Sequence, residues 1–131
     1  MAYLLDADWV IQALAGHRQT INAINRLAAE GVAISWITVG EVYEGAFKSA
    51  DPQAHLRTFR EFLRPFPALN LDDATMEHFA EVRSYLRRRG ELIPDFDLLL
   101  SAVALRHDLT VLTYNVRHLG RIPGLKIRQA N

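Results

Sequence analysis

Cysteine is missing from all 131 residues of this sequence. Disulfide bonds, thiolate metal sites and a cysteine nucleophile are therefore excluded, so any chemistry must use oxygen and imidazole groups. An excess of charge of one sign is also missing, because 15 basic residues balance 15 acidic ones. A net charge of zero creates no overall field that draws a protein to nucleic acid or to an anionic membrane, so any such contact must be local.

Long apolar runs and linkers are absent as well. No apolar run approaches the roughly 20 residues that cross a bilayer, and the first residues lack the pattern of a secretion signal. We therefore expect a cytoplasmic protein that makes no membrane contact. Half of the residues are hydrophobic, and neither a repeat nor a Gly/Ser/Pro-rich stretch divides the chain. This length and composition predict one domain over residues 1–131.

Short apolar runs alternate with helical patterns along the whole chain, which is typical of α/β proteins with a parallel sheet. The apolar runs predict strands at residues 3–5, 32–35, 68–71, 110–113 and 126–128. The helical patterns and their capping residues predict helices that begin at residue 8 and that span residues 19–30, 38–49, 52–63, 72–89 and 95–106.

Acidic or amide side chains come after several of these apolar runs. Asp6 directly follows a predicted strand and Asn115 comes two residues after another. Glu41 lies early in the helix after a third strand, and Asp97 lies in the first turn of a helix. Functional groups of open α/β sheets gather beyond the carboxyl ends of the strands. We therefore expect these side chains to converge on one pocket, whose oxygen atoms would suit a divalent metal.

Most of these acids also have a structural explanation. Asp8 is a good N-cap for the first helix, and Glu41 would complete a capping box opened by Thr38. Asp97 is favoured by the helix dipole, with Asp95 as the N-cap of the same helix. Asp6, which follows the first predicted strand, lacks such an explanation. Taken singly, the residues leave the structural and functional interpretations open.

The segments around the acids resemble the PIN-domain family, in its VapC-type toxin branch. Residues 3–11 resemble the first family motif, in which Asp6 is a metal ligand and Asp8 stands where the family usually has Asn. Residues 35–45 are similar to the second motif, and Glu41 matches its acidic ligand. The resemblance extends over nearly the full length of the chain.

The remaining two motifs lie in the second half of the sequence. Residues 93–104 resemble the third motif, with Asp97 as the matching acid and Asp95 as an extra one nearby. The segment after the fourth predicted strand resembles the family's last motif, but His118 stands where members often carry an acid. The resemblance leaves open whether Asp95, Asn115 or His118 takes over from that missing acid.

The resemblance implies a three-layer α/β/α sandwich with a central, mainly parallel sheet. It also implies an endoribonuclease that depends on Mg²⁺ or Mn²⁺, with Asp6, Glu41 and Asp97 as catalytic residues and metal ligands. Such a toxin acts on RNA, is inhibited by a cognate antitoxin protein and is commonly a homodimer. The carboxylate ligands suit a hard cation that keeps several waters and binds substrate phosphate oxygens.

Two other functions compete with this interpretation. Asp6 and Asp8 also resemble the Asp-x-Asp motif of haloacid-dehalogenase-type phosphatases, with Asp6 as nucleophile, Asp8 as acid/base and Ser35 as phosphate ligand. That assignment requires a late acidic pair that the sequence lacks, and it leaves Glu41 and Asp97 unexplained. Alternatively, the altered fourth motif marks a non-catalytic PIN scaffold that only binds a partner protein.

Overall fold

A central sheet of five parallel strands organises the protein, for which a computed structural model describes residues 1–130. The strands lie in the order β3-β2-β1-β4-β5 and every neighbouring pair is parallel. Their bounds are β1 Tyr3–Leu5, β2 Val32–Ser35, β3 Ala68–Leu69, β4 Thr110–Leu112 and β5 Ile127–Arg128. The predicted parallel α/β architecture is therefore confirmed, although three strands are shorter than expected.

Seven α-helices connect the strands within the described residues. They are α1 Ala7–Leu14, α2 Arg18–Leu27, α3 Trp36–Phe47, α4 Pro52–Leu63, α5 Asp73–Arg88, α6 Asp95–His107 and α7 Val116–Leu119, with a 3₁₀ turn at Ala28–Glu30. Gly31 and Gly90, at φ of 91° and 67°, end two helical segments as their sequence positions predicted. The short α7 was not predicted. Among residues 1–130, no helix combines the length and apolar character needed to cross a bilayer.

The helices cover both faces of the sheet and so form a three-layer sandwich. Successive strand residues face opposite sides, and in β1 Leu5 packs with the cluster formed by α1 to α4 while Leu4 packs with the cluster formed by α5 and α6. In β2, Ile34 and Ala33 divide between the two clusters in the same way. The strands of such a sheet are apolar on both faces, which explains their continuous hydrophobic runs.

The chain changes direction across the sheet at β1. It runs from β1 outward through β2 to β3, and then returns to place β4 and β5 on the other side of β1. The backbone N–H of Asp6 donates to the carbonyl oxygen of Leu112 at 3.0 Å, so the ends of β1 and β4 lie side by side. Ligand sites of open α/β sheets lie at such a reversal of strand order.

Candidate active site

Asp6 lies at this reversal and is the N-cap of α1. Its side chain is 6% exposed, with Oδ1 accepting the Ala7 backbone N–H at 2.7 Å and Oδ2 accepting the Thr113 hydroxyl at 2.8 Å. The prediction that Asp8 caps this helix was wrong, because α1 already begins at Ala7 and Asp8 lies inside its first turn. The short Asp side chain reaches the first free N–H of the helix, so Asp6 has the structural role that was assigned to Asp8.

Thr113 joins two of the acids through one hydroxyl group. Besides its contact with Asp6, its Oγ1 lies 3.2 Å from Oδ2 of Asp8, and it accepts the backbone N–H of Asn115 at 2.9 Å. A hydroxyl carries a single proton, so it can donate to only one carboxylate at a time. The two carboxylates therefore share one donor at the end of β4. Sequence reasoning did not identify Thr113 as part of the site.

Asp8 is held mainly through one of its two oxygens. Oδ2 accepts the backbone N–H of Tyr114 at 2.9 Å, in addition to its contact with Thr113. Oδ1 is buried and has no hydrogen-bond partner. Nearly all buried polar atoms in folded proteins have a hydrogen-bond partner, so the unpaired Oδ1 of Asp8 needs an explanation.

Glu41 is brought to the site by α3, which begins two residues earlier than predicted. Ser35 is the N-cap of α3, and its Oγ accepts the backbone N–H of Thr38 at 3.2 Å. The predicted capping box of Thr38 with Glu41 is therefore wrong, because Glu41 lies in the second turn of α3 and contributes nothing to the cap. Glu41 is half-buried beside the other acids without that structural role.

Asp97 faces the same region from the first turn of α6. Its Oδ2 accepts the side-chain N–H of Asn115 at 3.2 Å and lies 3.2 Å from Nδ1 of His118. The side chains of Asp97 and His118 are 18% and 31% exposed, so the contact lies at the rim of the site. The end of β4 and the start of α7 thus hold Asp97, which links the fourth sequence motif to the third.

Asp95 does not join this group. The N-cap of α6 is Pro94, which has no side chain to cap with, so the predicted cap at Asp95 is wrong. The Asp95 side chain is 60% exposed and pairs with Arg83 at 3.0 Å. Asp95 is therefore occupied at the surface and does not replace the acid that the fourth motif lacks.

The acids influence one another's ionisation. Burial raises the pKa of Asp6 to about 7, and the negative charges of Asp8 and Glu41 add to the increase, against opposing hydrogen bonds from Thr113 and Ala7. Burial also raises the pKa of Asp8, with a contribution from Asp97. The pKa of Glu41 is raised by burial and by the charges of Asp97 and Asp8. Four acids from α1, α3 and α6 therefore share one electrostatic environment.

The donor chemistry of this group fits a hard divalent cation. Carboxylate, amide and hydroxyl oxygens are the ligands that Mg²⁺ and Mn²⁺ prefer, and the unpaired Oδ1 of Asp8 is a buried oxygen in need of a positive partner. Within residues 1–130, however, no three acidic or histidine side chains meet closely enough to ligate one ion as they stand. Like charges repel, so carboxylates close around one point only when a cation offsets the repulsion.

A surface cavity between α1 and α4 is not this site. A cavity of about 500 Å³ is lined by Leu14 of α1 together with Arg57, Thr58, Glu61 and Phe62 of α4. It contains none of the four acids. The assignment of the site therefore rests on the positions and environments of the acids rather than on cavity size.

Known proteins are similar to this chain along nearly its whole length. The family model of the PIN domain matches residues 3–125. The chain is 28% identical over 127 residues to the tRNA(fMet)-specific endonuclease VapC of Salmonella typhimurium, covering 97% of this chain and 96% of the relative. It is 28% identical over 128 residues to ribonuclease VapC2 of Haemophilus influenzae, covering 96% of each.

Two solved structures have the same fold over their whole length. One is VapBC2 from Rickettsia felis bound to a DNA fragment from its promoter, with a TM-score of 0.92, 26% identity and 98% coverage of both chains. The other is DNA-bound VapBC from Salmonella typhimurium, with a TM-score of 0.92, 26% identity and coverage of 100% of this chain and 99% of the other.

Proposed function

We propose that this chain, which belongs to the PIN-domain family, is the endoribonuclease toxin of a toxin–antitoxin pair. The family membership predicted from four sequence motifs is confirmed. The relatives that match along their whole length are named as VapC ribonucleases and endonucleases. The observation that carries the proposal is the convergence of Asp6, Glu41 and Asp97, from three different helices, at the reversal point of the sheet.

In this proposal Asp6, Glu41 and Asp97 hold Mg²⁺ or Mn²⁺ and are the catalytic residues. When bound, the cation supplies charge neutralisation at the scissile phosphate and makes water a stronger nucleophile. Thr113 keeps Asp6 in place with its hydroxyl hydrogen bond. Asn115 and His118 both contact Oδ2 of Asp97, and so fix the orientation of its carboxylate. No side-chain nucleophile is needed for this reaction.

RNA is the proposed substrate because relatives of this length and fold are named for cutting it. One of them is described as specific for tRNA(fMet), so a mixture that contains tRNA is the appropriate first substrate. The proposed place of action is the cytoplasm, where such RNA is found. One domain over residues 1–131 is sufficient for the whole activity in this proposal.

The proposed partner is a cognate antitoxin protein. Both solved structures described above are VapBC assemblies bound to DNA, and the matching chain in each resembles this one over nearly its full length. A second copy of this chain is also proposed, because homodimers are common in the family. Tests of activity must therefore use protein that has been freed of any co-purified antitoxin.

The experiment that tests the function is incubation of antitoxin-free protein with a mixture of tRNA and ribosomal RNA in Mg²⁺ or Mn²⁺. We expect discrete cleavage products that disappear with EDTA and with Asp6→Asn. Asp72→Asn is the matched control, because Asp72 is also an aspartate N-cap, accepting the Thr75 backbone N–H at the start of α5, but is not one of the four acids. It should cleave like the wild type.

The absence of cleavage, together with intact metal binding, would instead support the non-catalytic scaffold. The phosphatase alternative has less support, because Ser35 is fully buried and its hydroxyl caps α3, so it is not available to a phosphate group. Phosphatase activity that survives Glu41→Gln would revive that alternative.

A further inference from the structure

We infer that Asp8 is the fourth carboxylate of the site, in place of the acid that the family often has at the position of His118. The inference rests on the proposed function and concerns a residue that the family's motif usually fills with Asn. It answers which residue replaces the missing acid, for which Asp95, Asn115 and His118 were the candidates.

The contacts of Asp8 leave one of its oxygens without a task in the fold. Oδ2 is fixed by the backbone N–H of Tyr114 at 2.9 Å and lies 3.2 Å from the Thr113 hydroxyl. Oδ1 is buried and has no partner within residues 1–130. The side chain is therefore anchored through Oδ2, and Oδ1 is the oxygen that we assign to the metal ligand set.

The negative charge of Asp8 is not needed for that anchoring. An Asn side chain also has an oxygen that can accept the Tyr114 N–H and the Thr113 hydroxyl. Asn would moreover avoid the repulsion that Asp8 experiences from Asp97 and exerts on Asp6 and Glu41. The hydrogen bonds to Asp8 and its place in the first turn of α1 favour a carboxylate, but burial outweighs them and its pKa is raised. A cation beside Oδ1 would offset that cost.

The fourth motif carries the complementary change. His118 lies where family members often have an acid, and its Nδ1 is 3.2 Å from Oδ2 of Asp97. His118 therefore contacts the proposed ligand Asp97 but supplies no carboxylate of its own. Asp at position 8 together with His at position 118 keeps the number of carboxylates in the site at four. The fourth carboxylate has moved from α7 to α1.

Other acids near the site do not meet these conditions. Asp95 is 60% exposed and is paired with Arg83 at 3.0 Å. Glu44, one turn beyond Glu41 in α3, is exposed. Neither has a buried, unpaired oxygen among the converging acids.

The test is Mn²⁺ affinity, measured by calorimetry without RNA, for the wild type and for Asp8→Asn. We expect Asp8→Asn to weaken Mn²⁺ binding by about tenfold or more, which is the range for losing a group close to a bound metal. The double variant Asp8→Asn/His118→Asp should recover most of the affinity, because it returns a carboxylate to the position of His118, beside Asp97. Asp95→Asn is the control and should bind like the wild type.

Melting temperatures in EDTA separate this effect from damage to the fold. Asp8→Asn should melt at or above the wild-type temperature, because its anchoring is retained and repulsion is removed. Should Asp8→Asn not fold, Asp8→Ser provides a second variant that still offers an oxygen to Tyr114. If the wild type and the Asp8 variants bind Mn²⁺ equally well while Asp6→Asn binds it more weakly, the role of Asp8 is overturned and the proposed function is not. A wild type that binds no Mn²⁺ would overturn this inference and the proposed function together.

Discussion

Two of the aspartates that cap helices in this protein, Asp6 and Asp72, have surroundings that shift their pKa values in opposite directions. Asp72 caps α5 at the surface, where it accepts the backbone N–H and the hydroxyl of Thr75 at 2.8 and 2.7 Å. These hydrogen bonds hold the pKa of Asp72 below its usual value. Asp6 caps α1 in the interior, where burial and the charge of Asp8 raise its pKa to about 7.

The comparison of Asp6 with Asp72 distinguishes helix capping, which both residues perform, from a second role that only Asp6 has. A cap alone explains Asp72, since its carboxylate is stabilised by the contacts that it makes. Capping does not explain why Asp6 is an acid, because Ser, Thr or Asn would cap α1 without burying a charge. Strongly perturbed acids that gather in one place are typical of functional sites.

The largest expected difference between Asp6 and Asp72 lies in how each affects the stability of the protein as the pH changes. In EDTA at pH 8, Asp6→Asn should be more stable than the wild type by roughly 2–4 kcal/mol. The folded pKa of Asp6 is above the ordinary value of 3.8. The folded protein therefore binds more protons than the unfolded chain between pH 3.8 and about 7, and its stability falls as the pH rises through that window.

Denaturant unfolding at a series of pH values measures this effect. The advantage of Asp6→Asn should be nearly gone near pH 3, below the ordinary pKa of 3.8, where the Asp6 carboxyl is largely protonated in both states. A variant that is less stable than the wild type at pH 8 would show that the carboxylate of Asp6 supports the metal-free fold, and the contrast with Asp72 would disappear.

Metal should stabilise the protein through Asp6 and not through Asp72. Mg²⁺ or Mn²⁺ at about 100 times its dissociation constant should add about 2.7 kcal/mol to the free energy of unfolding. The melting temperature should rise across the titration for the wild type and for Asp72→Asn, and much less for Asp6→Asn. A flat melting temperature for the wild type would contradict metal binding at the four acids.

Thr113 is expected to matter through its hydroxyl rather than its shape. Thr113→Val keeps the volume but removes the donor shared by Asp6 and Asp8 and the acceptor for the Asn115 N–H. The rate of RNA cleavage should fall by about tenfold, in line with other groups that orient metal ligands. Thr113→Ser should cleave at nearly the wild-type rate. Wild-type cleavage by the Val variant would mean that Thr113 only fills space.

The smallest effect is expected at the surface cap. Asp72→Ala should lower the melting temperature by a few degrees at neutral pH, because the first turn of α5 loses an acceptor. The lowered pKa of Asp72 contributes stability above the ordinary pKa of 3.8, and this contribution is lost as the pH falls further. The difference between Asp72→Ala and the wild type should therefore shrink in acid, while Asp72→Asn, which keeps an acceptor but not the charge, should lose less stability than Asp72→Ala at neutral pH. Thermal scans from pH 2 to 7 would check both statements.

Much of the fold could be predicted from the sequence because its signals are local. Pro52 begins α4 and Gly31 and Gly90 end helical segments as their positions indicated, and the apolar runs identified the strands. The exact starts of α1 and α3 could not be predicted, because Asp6 and Ser35 compete with nearby residues for the cap. Which competitor wins depends on how each strand end is held in the sheet.

The candidate site was predictable in its residues but not in its contacts. Asp6, Glu41 and Asp97 were identified from the motifs, and RNA as substrate came from the resemblance alone. The role of Thr113 depends on a hydrogen bond to a residue 107 positions away, and such pairing has no local signal. The raised pKa values likewise arise from burial in the folded state. The orphan oxygen of Asp8 is visible only once the neighbours of both its oxygens are known.

The pairing of β1 with β4 also has a consequence for synthesis of the protein on the ribosome. Asp6 is made among the first residues, but Thr113, its partner at 2.8 Å, and Asn115, the partner of Asp97, are made near the end. A growing chain therefore carries Asp6 and Asp8 long before the Thr113 hydroxyl that contacts them both. Its site is completed only when the last strands dock beside β1, so an assembled site is absent during most of translation.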